Sequence, residues 1–216
     1  MGKVIAIDGP SGAGKSTVSK LIAEKLGFQF LDTGALYRAT ALHLRRKAIE
    51  PESHDIEILN ALNGVTINFK NGRVFLNGED VSEEIRTTEA GHYASVFSAN
   101  KVVRDFLLHI QRDTAIDNDI VAEGRDMTTV IFPNAWKKFF LDASEEGRAK
   151  RRYLQLKGKG MDITMDEALR DVMERDKRDS SRDIAPLKRA DDAIYIDTTD
   201  LNLEDVLKKV LEAIGN

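Results

Sequence analysis

A glycine-rich segment near the start of the chain carries the clearest chemistry in the sequence, and it reads Gly9-Pro10-Ser11-Gly12-Ala13-Gly14-Lys15-Ser16-Thr17. It follows an apolar run and opens a helical pattern, which is the setting of a phosphate-binding P-loop. The glycines let successive backbone N–H groups face phosphate oxygens, and the following helix adds its positive end. In this pattern Lys15 reaches the β- and γ-phosphates, and the Ser16 hydroxyl can bind Mg²⁺. The segment therefore predicts that the chain binds a nucleoside triphosphate.

Two arginines follow later strand-like segments and could bind a second phosphate. Arg38 follows the run at residues 28–32, and Arg125 follows the run at residues 119–123. Ligands of an open parallel sheet bind beyond the carboxyl ends of its strands, so both side chains are expected at the edge that carries the P-loop. A planar guanidinium can donate two hydrogen bonds to one phosphate. These arginines predict a phosphorylated acceptor.

The C-terminal third is basic although the chain carries a net charge of −4. Residues 148–189 contain thirteen Lys and Arg against eight Asp and Glu. On a helix, Arg175, Asp179 and Arg182 would share one face, which could hold a phosphate and a sugar hydroxyl. The alternative is an exposed ladder of ion pairs that contributes little to stability.

Four basic residues, Arg148, Lys150, Arg151 and Arg152, precede the helix-breaking segment Gly158-Lys159-Gly160. A mobile lid that carries arginines over a phosphoryl group would exclude water and neutralise charge, and glycines would allow it to move. We therefore predict a lid at about residues 148–163, with a solvated basic helix as the alternative.

The strands that must position these residues are apolar runs separated by helical patterns. Five runs predict strands, at residues 3–8, 28–32, 119–123, 138–142 and 193–197. Alternation of this kind is typical of a parallel sheet with helices on both faces. We predict an α/β fold with a five-stranded parallel sheet flanked by helices, in a single domain of residues 1–216.

The helices are predicted from apolar stripes and capping residues. The stripes indicate helices from the P-loop to Gly27 and at residues 34–47, 100–116 and 202–214. Ser144 and Thr164 are suited to cap two more helices. Residues 63–86 differ, because alternating apolar residues flank the turn signal Asn71-Gly72. They predict a small antiparallel β insert that is too short to bury a core of its own.

Composition limits the remaining possibilities. The chain has 216 residues and no cysteine, which excludes disulfides, thiolate metal sites and a cysteine nucleophile. The negative net charge argues against a protein built mainly to coat nucleic acid. The sequence has neither a signal-peptide pattern nor an apolar stretch of membrane-spanning length. We expect a cytoplasmic monomer that binds small molecules and has no nucleic-acid or membrane partner.

Taken together, these segments resemble the bacterial cytidylate kinases, which are P-loop nucleoside monophosphate kinases. The resemblance covers essentially the whole chain. It is carried by the P-loop, Leu31-Asp32-Thr33-Gly34-Ala35-Leu36-Tyr37-Arg38, Gly78-Glu79-Asp80-Val81, Glu84-Ile85-Arg86-Thr87, Glu123-Gly124-Arg125-Asp126-Met127, Val130-Ile131-Phe132-Pro133, Phe140-Leu141-Asp142-Ala143-Ser144, Glu174-Arg175-Asp176 with Asp179 and Arg182, and Ala185-Pro186-Leu187.

The resemblance implies a P-loop kinase fold with a monophosphate-binding insert and a helical lid. It implies transfer of the γ-phosphoryl group of ATP to CMP or dCMP in pyrimidine nucleotide metabolism, with Mg²⁺. ATP would bind the P-loop, Ser16 would help to place the metal ion, and Lys15, Arg148 and Arg151 would be catalytic. No general base is needed, because an acceptor phosphate is already ionised, so catalysis is mainly alignment and electrostatic stabilisation.

The resemblance also implies nine residues for the acceptor nucleotide: Arg38, Arg125 and Arg182 for its phosphate, Thr33, Arg175 and Asp179 for its phosphate or sugar, and Ser95, Arg104 and Asp126 for the cytosine edge. Asp126 could accept a hydrogen bond from the exocyclic amine, and Arg104 could donate to the ring acceptors, which would favour cytosine over uracil. Two residues depart from the family pattern. Thr33 stands where relatives often have Ser and keeps the hydroxyl. Thr128 stands where many relatives have Gly, and this removes no proposed ligand.

Three alternatives stay open at this point. The chain could be a monophosphate kinase for UMP or AMP, which a comparison of acceptors would reveal. It could be a nucleotide-dependent switch, which would release phosphate without any dependence on an acceptor. It could be an inactive binding module, although Lys15 and Ser16 are both present.

Overall fold

The structure is a computed structural model that describes residues 2–70 and 72–215. The chain divides into two compact units. We call Met1–Leu31 with Thr114–Asn216 the sheet unit, and Asp32–Asp113 the hairpin unit. No helix within the described residues combines the length and the apolar character that a membrane crossing requires.

Along the described chain the elements are β1 (Val4–Asp8), α1 (Lys15–Leu26), β2 (Gln29–Asp32), α2 (Thr33–Arg46), α3 (Asp55–Leu62), β3 (Ile67–Lys70), β4 (Arg73–Leu76), β5 (Glu79–Asp80), α4 (Thr88–Phe97), α5 (Lys101–Thr114), β6 (Ile120–Glu123), β7 (Lys137–Asp142), α6 (Glu145–Gly158), α7 (Met165–Ser181), β8 (Ile194–Asp197) and α8 (Leu203–Gly215). A short 3-10 turn covers Glu84–Arg86, and a π-helical turn covers Met127–Ile131.

A five-stranded parallel sheet forms the frame of the sheet unit, which confirms the predicted sheet, and its strand order is β2-β6-β1-β7-β8. Ile5 of β1 pairs with Val121 of β6, and Ile7 pairs with Phe139 of β7. Every residue of β1 is buried, because both faces of a central parallel strand are covered by helices. The P-loop follows this central strand, whose residues are all buried.

Local capping signals set the ends of the helices around the sheet. Gly27 ends α1 with a φ of 68°, a left-handed conformation that glycine adopts at little cost. The Ser144 hydroxyl accepts a hydrogen bond from the Gly147 N–H at 3.1 Å and caps α6. Thr164 and Glu167 form a reciprocal capping box at the start of α7. These three predictions are confirmed.

The end of α7 bears on the predicted helical face of Arg175, Asp179 and Arg182. The helix ends at Ser181, and Arg182 has an extended backbone with φ −68° and ψ 141°. Here the Leu187 N–H donates to the Asp179 carbonyl oxygen at 2.7 Å, and the chain turns away from the helix axis. Arg175 and Asp179 lie one turn apart on α7 as expected, and Arg182 follows the last residue of the helix, where its charge, like that of Arg175, acts on Asp179.

The hairpin unit contains α2 to α5 and a three-stranded antiparallel sheet in the order β3-β4-β5. Lys70 pairs with Arg73 across the hairpin, which confirms the predicted antiparallel segment, although Asn71 lies outside the described residues. Two helices of this unit, α3 and α4, were not predicted. They span eight and ten residues, so each shows too few turns for a clear apolar stripe.

Candidate active site

The P-loop has the backbone conformation that its glycines predict. Gly9, Gly12 and Gly14 have φ angles of 147°, 80° and 88°, which side chains rarely tolerate. A Cβ atom at Gly9 would lie 1.9 Å from the Leu141 carbonyl oxygen of the neighbouring strand. Gly9 therefore serves two needs, an unusual backbone angle and a close approach of β1 to β7.

Lys15 begins α1 and is buried, with 5% of its surface exposed. Its ammonium Nζ donates to the Pro10 carbonyl oxygen at 2.7 Å. Burial lowers the pKa of Lys15 to about 7, the positive charge of Arg125 adds to this effect, and the Glu123 carboxylate opposes it. The charge on this lysine is thus poorly compensated by the protein, and an anionic phosphate would stabilise it.

Ser16 contacts a carboxylate that sequence reasoning missed. Its hydroxyl donates to Oε1 of Glu123 at 2.6 Å, and Glu123 is the last residue of β6. The signal in the sequence was a single acidic residue at the end of a buried apolar strand. Paired hydroxyl and carboxylate oxygens suit Mg²⁺. Within the described residues no group of three or more His, Cys, Asp or Glu could hold a metal ion, so phosphate and water oxygens would complete its coordination.

Two of the four basic residues on α6 contact the P-loop. Arg148 is buried, and its guanidinium donates to the carbonyl oxygens of Ala143 at 2.9 Å and Ser11 at 3.2 Å, and it also pairs with Asp176. Arg151 donates to the Gly12 carbonyl oxygen at 3.4 Å and to the Thr198 hydroxyl at 3.0 Å. The other two basic residues point elsewhere. Lys150 is exposed, and Arg152 pairs with Asp171 at 2.8 Å.

A second group of charged side chains in the sheet unit comprises Arg125, Asp126, Asp179 and Arg182, and we call it the arginine–carboxylate cluster. Nε of Arg125 donates to the Asp179 carboxylate at 2.7 Å, and the guanidinium of Arg182 lies 3.9 Å from the Asp126 carboxylate. Burial alone would raise the pKa of Asp179, but the charges of Arg125 and then Arg175 outweigh burial and hold it below the usual value.

Asp179 is therefore held in its ionised form and paired with Arg125, as a buried charge must be. The arginine–carboxylate cluster brings together residues from the end of β6 and from α7 that lie more than fifty positions apart in the sequence. The positive charge of Arg125 also acts on Lys15, as the lowered pKa of that lysine records. The cluster and the P-loop lie close enough to interact electrostatically.

The hairpin unit carries the other residues that the sequence indicated. Thr33 is buried at the start of α2, and Arg38 is half-buried on the same helix. On α5 the buried Arg104 donates to the Ser98 carbonyl oxygen at 3.1 Å, and its guanidinium lies 5.7 Å from the centre of the Tyr37 ring.

Ser95 is buried on α4, and its carbonyl oxygen accepts from the Ser98 hydroxyl at 2.7 Å. Ser98 therefore contacts both the Ser95 backbone and the Arg104 guanidinium within the hairpin unit. Buried polar groups are costly unless they are hydrogen-bonded, and these contacts satisfy the Arg104 guanidinium and the Ser98 hydroxyl in part.

Comparison with known proteins gives consistent matches. A family model described as "Cytidylate kinase" matches residues 5–216. A cytidylate kinase from Thermodesulfovibrio yellowstonii is 58% identical over 219 residues, which covers 100% of this chain and 99% of the relative. A cytidylate kinase from Fervidobacterium nodosum is 51% identical over 210 residues and covers 97% and 95% of the two chains. A solved structure of an uncharacterized protein from Eubacterium ventriosum is alike in fold, with a TM-score of 0.53 and 15% identity over 99% of each chain.

Proposed function

The chain belongs to the cytidylate kinase family, and from this premise we propose that it transfers the γ-phosphoryl group of ATP to CMP or dCMP. The products are ADP and CDP or dCDP. The observation in the structure that best supports this activity is the 2.6 Å contact between Ser16 of the P-loop and Glu123, because it places the P-loop beside the segment that carries Arg125 two residues later. Phosphoryl transfer needs the donor and acceptor phosphates close together and in line.

On the donor side, we propose that the backbone N–H groups of the P-loop and Lys15 bind the phosphates of ATP. Ser16 and Glu123 would hold Mg²⁺, and their 2.6 Å contact brings two oxygen ligands of the right type together. When bound, the metal ion supplies neutralisation of the phosphate charges. Lys15 orients the β- and γ-phosphates and stabilises the negative charge that the transition state spreads over the equatorial oxygens.

On the acceptor side, we propose that the sheet unit binds the phosphate of the monophosphate through Arg125 and Arg182. Arg175 and Asp179 would bind its phosphate or sugar, and Asp126 would accept a hydrogen bond from the exocyclic amine of cytosine. The lowered pKa of Asp179 supports this assignment, because an ionised carboxylate can accept bonds from sugar hydroxyls. Arg125 is held by Asp179 and thus reaches the acceptor in a fixed orientation.

From the hairpin unit, we propose that Thr33 and Arg38 bind the acceptor phosphate region and that Ser95 and Arg104 bind the base. The burial of Arg104 supports its assignment. A base that cannot accept hydrogen bonds from a buried guanidinium leaves it unpaired, and this costs free energy and disfavours the wrong base. The predicted insert at residues 63–86 stays a proposal with the same role, binding of the monophosphate.

Arg148 and Arg151 are proposed to complete the positive charge around the transferring phosphoryl group. Their contacts with the Ser11 and Gly12 carbonyl oxygens support a position beside the P-loop. The lid at about residues 148–163 stays a prediction, as do a monomeric state, a cytoplasmic location and the absence of nucleic-acid and membrane partners.

The decisive experiment is an ADP-release assay with CMP, dCMP, UMP and AMP as acceptors, together with a reaction that contains ATP and Mg²⁺ alone. We expect ADP to form rapidly with CMP or dCMP and slowly with the other two. A preference for UMP or AMP would reassign the acceptor. Release of phosphate at the same rate without any monophosphate would identify a nucleotide switch instead.

A further inference from the structure

Asp8 is a buried carboxylate that none of the roles above uses. It is the last residue of β1, directly precedes Gly9 of the P-loop and has no exposed surface. Its Oδ1 accepts from the Met127 N–H at 2.9 Å, and its Oδ2 accepts from the Thr128 N–H at 2.7 Å and from the Thr128 hydroxyl at 2.6 Å. One side chain at the edge of the P-loop therefore holds a segment about 120 residues away in the sequence.

The segment that Asp8 holds begins the π-helical turn Met127–Ile131. In this turn the Val130 and Ile131 N–H groups both donate to the Asp126 carbonyl oxygen, at 2.9 and 3.1 Å. The first N–H groups of a helical turn have no partner within the turn and need an acceptor. The Asp8 carboxylate accepts from the first two N–H groups of this turn and so acts as its N-terminal cap. Because π-helical turns are rare, this cap should stabilise the π conformation of the segment.

Arg125 and Asp126 lie directly before Met127 and Thr128, the two residues that are hydrogen-bonded to Asp8. The Gly124 N–H is fixed to the Ile7 carbonyl oxygen at 3.0 Å, so the chain is tied to β1 both before and after this pair. Two anchors on one strand define where Arg125 and Asp126 leave the sheet. The same strand continues directly into the P-loop, which makes it a common reference for both groups of residues.

From this geometry we propose that Asp8 is a positioning residue that sets the acceptor segment, residues 124–128, at a fixed place relative to the P-loop. Asp8 itself touches neither nucleotide. It aims Arg125 and Asp126 at the acceptor by capping the π-helical turn, and the Thr128 hydroxyl supplies a third bond to the same carboxylate. This inference rests on the proposed function, in which Arg125 and Asp126 bind the monophosphate.

The test compares Asp8→Asn with the wild type. An amide of the same shape presents a donor where the carboxylate accepted, so it cannot satisfy all three bonds. We expect the KM for the acceptor to rise roughly tenfold to hundredfold. We expect the dissociation constant of ATP, measured without an acceptor, to change less than about twofold, because every side-chain bond of Asp8 goes to the acceptor segment.

A milder pair of variants keeps the proposal testable if Asp8→Asn does not fold. Thr128→Val removes only the hydroxyl bond and should raise the acceptor KM by roughly threefold to tenfold, whereas Thr128→Ser, which restores a hydroxyl, should reverse most of that rise. Thr129→Val is the matched control. The Thr129 hydroxyl is buried and makes no hydrogen bond within the described residues, so its loss should leave the acceptor KM as it is.

The outcomes separate this proposal from the proposed function. The wild-type assay decides which monophosphate is the acceptor, and the variants are then compared with that monophosphate. A selective rise in its KM supports the positioning role, whichever base it carries. Equal losses for ATP and acceptor in Asp8→Asn, or equal effects of Thr128→Val and Thr129→Val, would overturn it.

Discussion

The P-loop region and the arginine–carboxylate cluster of the sheet unit treat buried charge in opposite ways. At the P-loop, burial dominates, so the pKa of Lys15 falls to about 7 and that of Asp8 rises to about 6. In the cluster, opposite charges dominate, and the pKa of Asp179 falls below its usual value although its side chain is buried. The first region holds charges that lack compensation, and the second region compensates its own.

This difference indicates how each region meets a phosphate. The phosphates of ATP supply a negative charge next to Lys15, so ATP binding should stabilise the protonated form of this lysine, which the protein alone stabilises poorly. Arg125 already has Asp179 as its partner, and an acceptor phosphate must share that guanidinium. Mutations and changes in pH should therefore act differently on the two regions.

The largest effect is expected for Lys15→Ala. The variant removes the P-loop side chain that is assigned to the β- and γ-phosphates. We expect kcat to fall by about 10²–10³-fold, the loss seen when a preorganised hydrogen-bond donor to the transition state is removed. The coupled assay of ADP release at saturating substrates measures it. Lys20→Ala on the exposed face of α1 is the control and should retain wild-type activity. Normal turnover of Lys15→Ala would remove the lysine from the mechanism.

The second prediction concerns stability and pH at Asp8. Burial raises its pKa from 3.8 to about 6, and the negative charge of Asp126 acts in the same direction. Protonation of Asp8 thus favours the folded state, and this stabilisation is present below pH 3.8 and is lost as the pH rises through 6. Across this window the wild type should lose up to about 3 kcal/mol of unfolding free energy relative to Asp8→Asn.

Urea denaturation of both proteins at several values between pH 4 and 7 measures this difference. The comparison cancels the contributions of carboxylates that the two proteins share. Lys15, whose charge interacts with Asp8, has a pKa of about 7, so it titrates at the upper end of this range and should contribute little to the slope below pH 6. If the difference in unfolding free energy between the two proteins stayed constant with pH, the pKa of Asp8 would not be raised in the folded protein.

The third prediction tests the compensated region. Arg125→Ala leaves Asp179 buried without its main partner and removes a fork for the acceptor phosphate. The value of kcat/KM for CMP should fall by about thirtyfold, with the dissociation constant of ATP nearly unchanged. Arg125→Lys keeps the charge without the fork and should fall between the two, whereas the exposed Arg170→Ala should behave as the wild type. An unaltered CMP dependence of Arg125→Ala would remove Arg125 from the acceptor site.

The contrast also explains what the sequence could and could not predict. The P-loop is contiguous and its geometry comes from glycine backbone angles, so the residues alone specify it. The parallel sheet followed from continuous apolar strands, and the ends of α1, α6 and α7 at their N- or C-caps followed from local capping residues. Each of these features depends on neighbours in the sequence.

The features that sequence reasoning missed depend on distant partners. Glu123 and Asp8 each stand alone at the end of a buried strand, where an acidic residue gives no signal until its partner from a distant part of the chain is known. The helix α7 ends at Ser181, one residue before Arg182, and the Leu187 N–H that bonds to the Asp179 carbonyl oxygen there comes from outside the helix, so helical spacing alone did not predict this end. The π-helical turn has no local signal, since its N-terminal cap comes from the other end of the chain.

The smallest expected effect is a difference in the number of protons taken up when ATP and when CMP bind. At pH 8 a lysine with a pKa of about 7 is mostly neutral, and the phosphates of ATP should raise that pKa and charge it. ATP binding should therefore take up to about one proton per chain, whereas CMP binding should take up almost none, because arginines stay protonated. Calorimetry in two buffers of different ionisation enthalpy measures the uptake, and Lys15→Ala should abolish it for ATP. Equal uptake with both nucleotides would contradict the division between an uncompensated donor region and a compensated acceptor region.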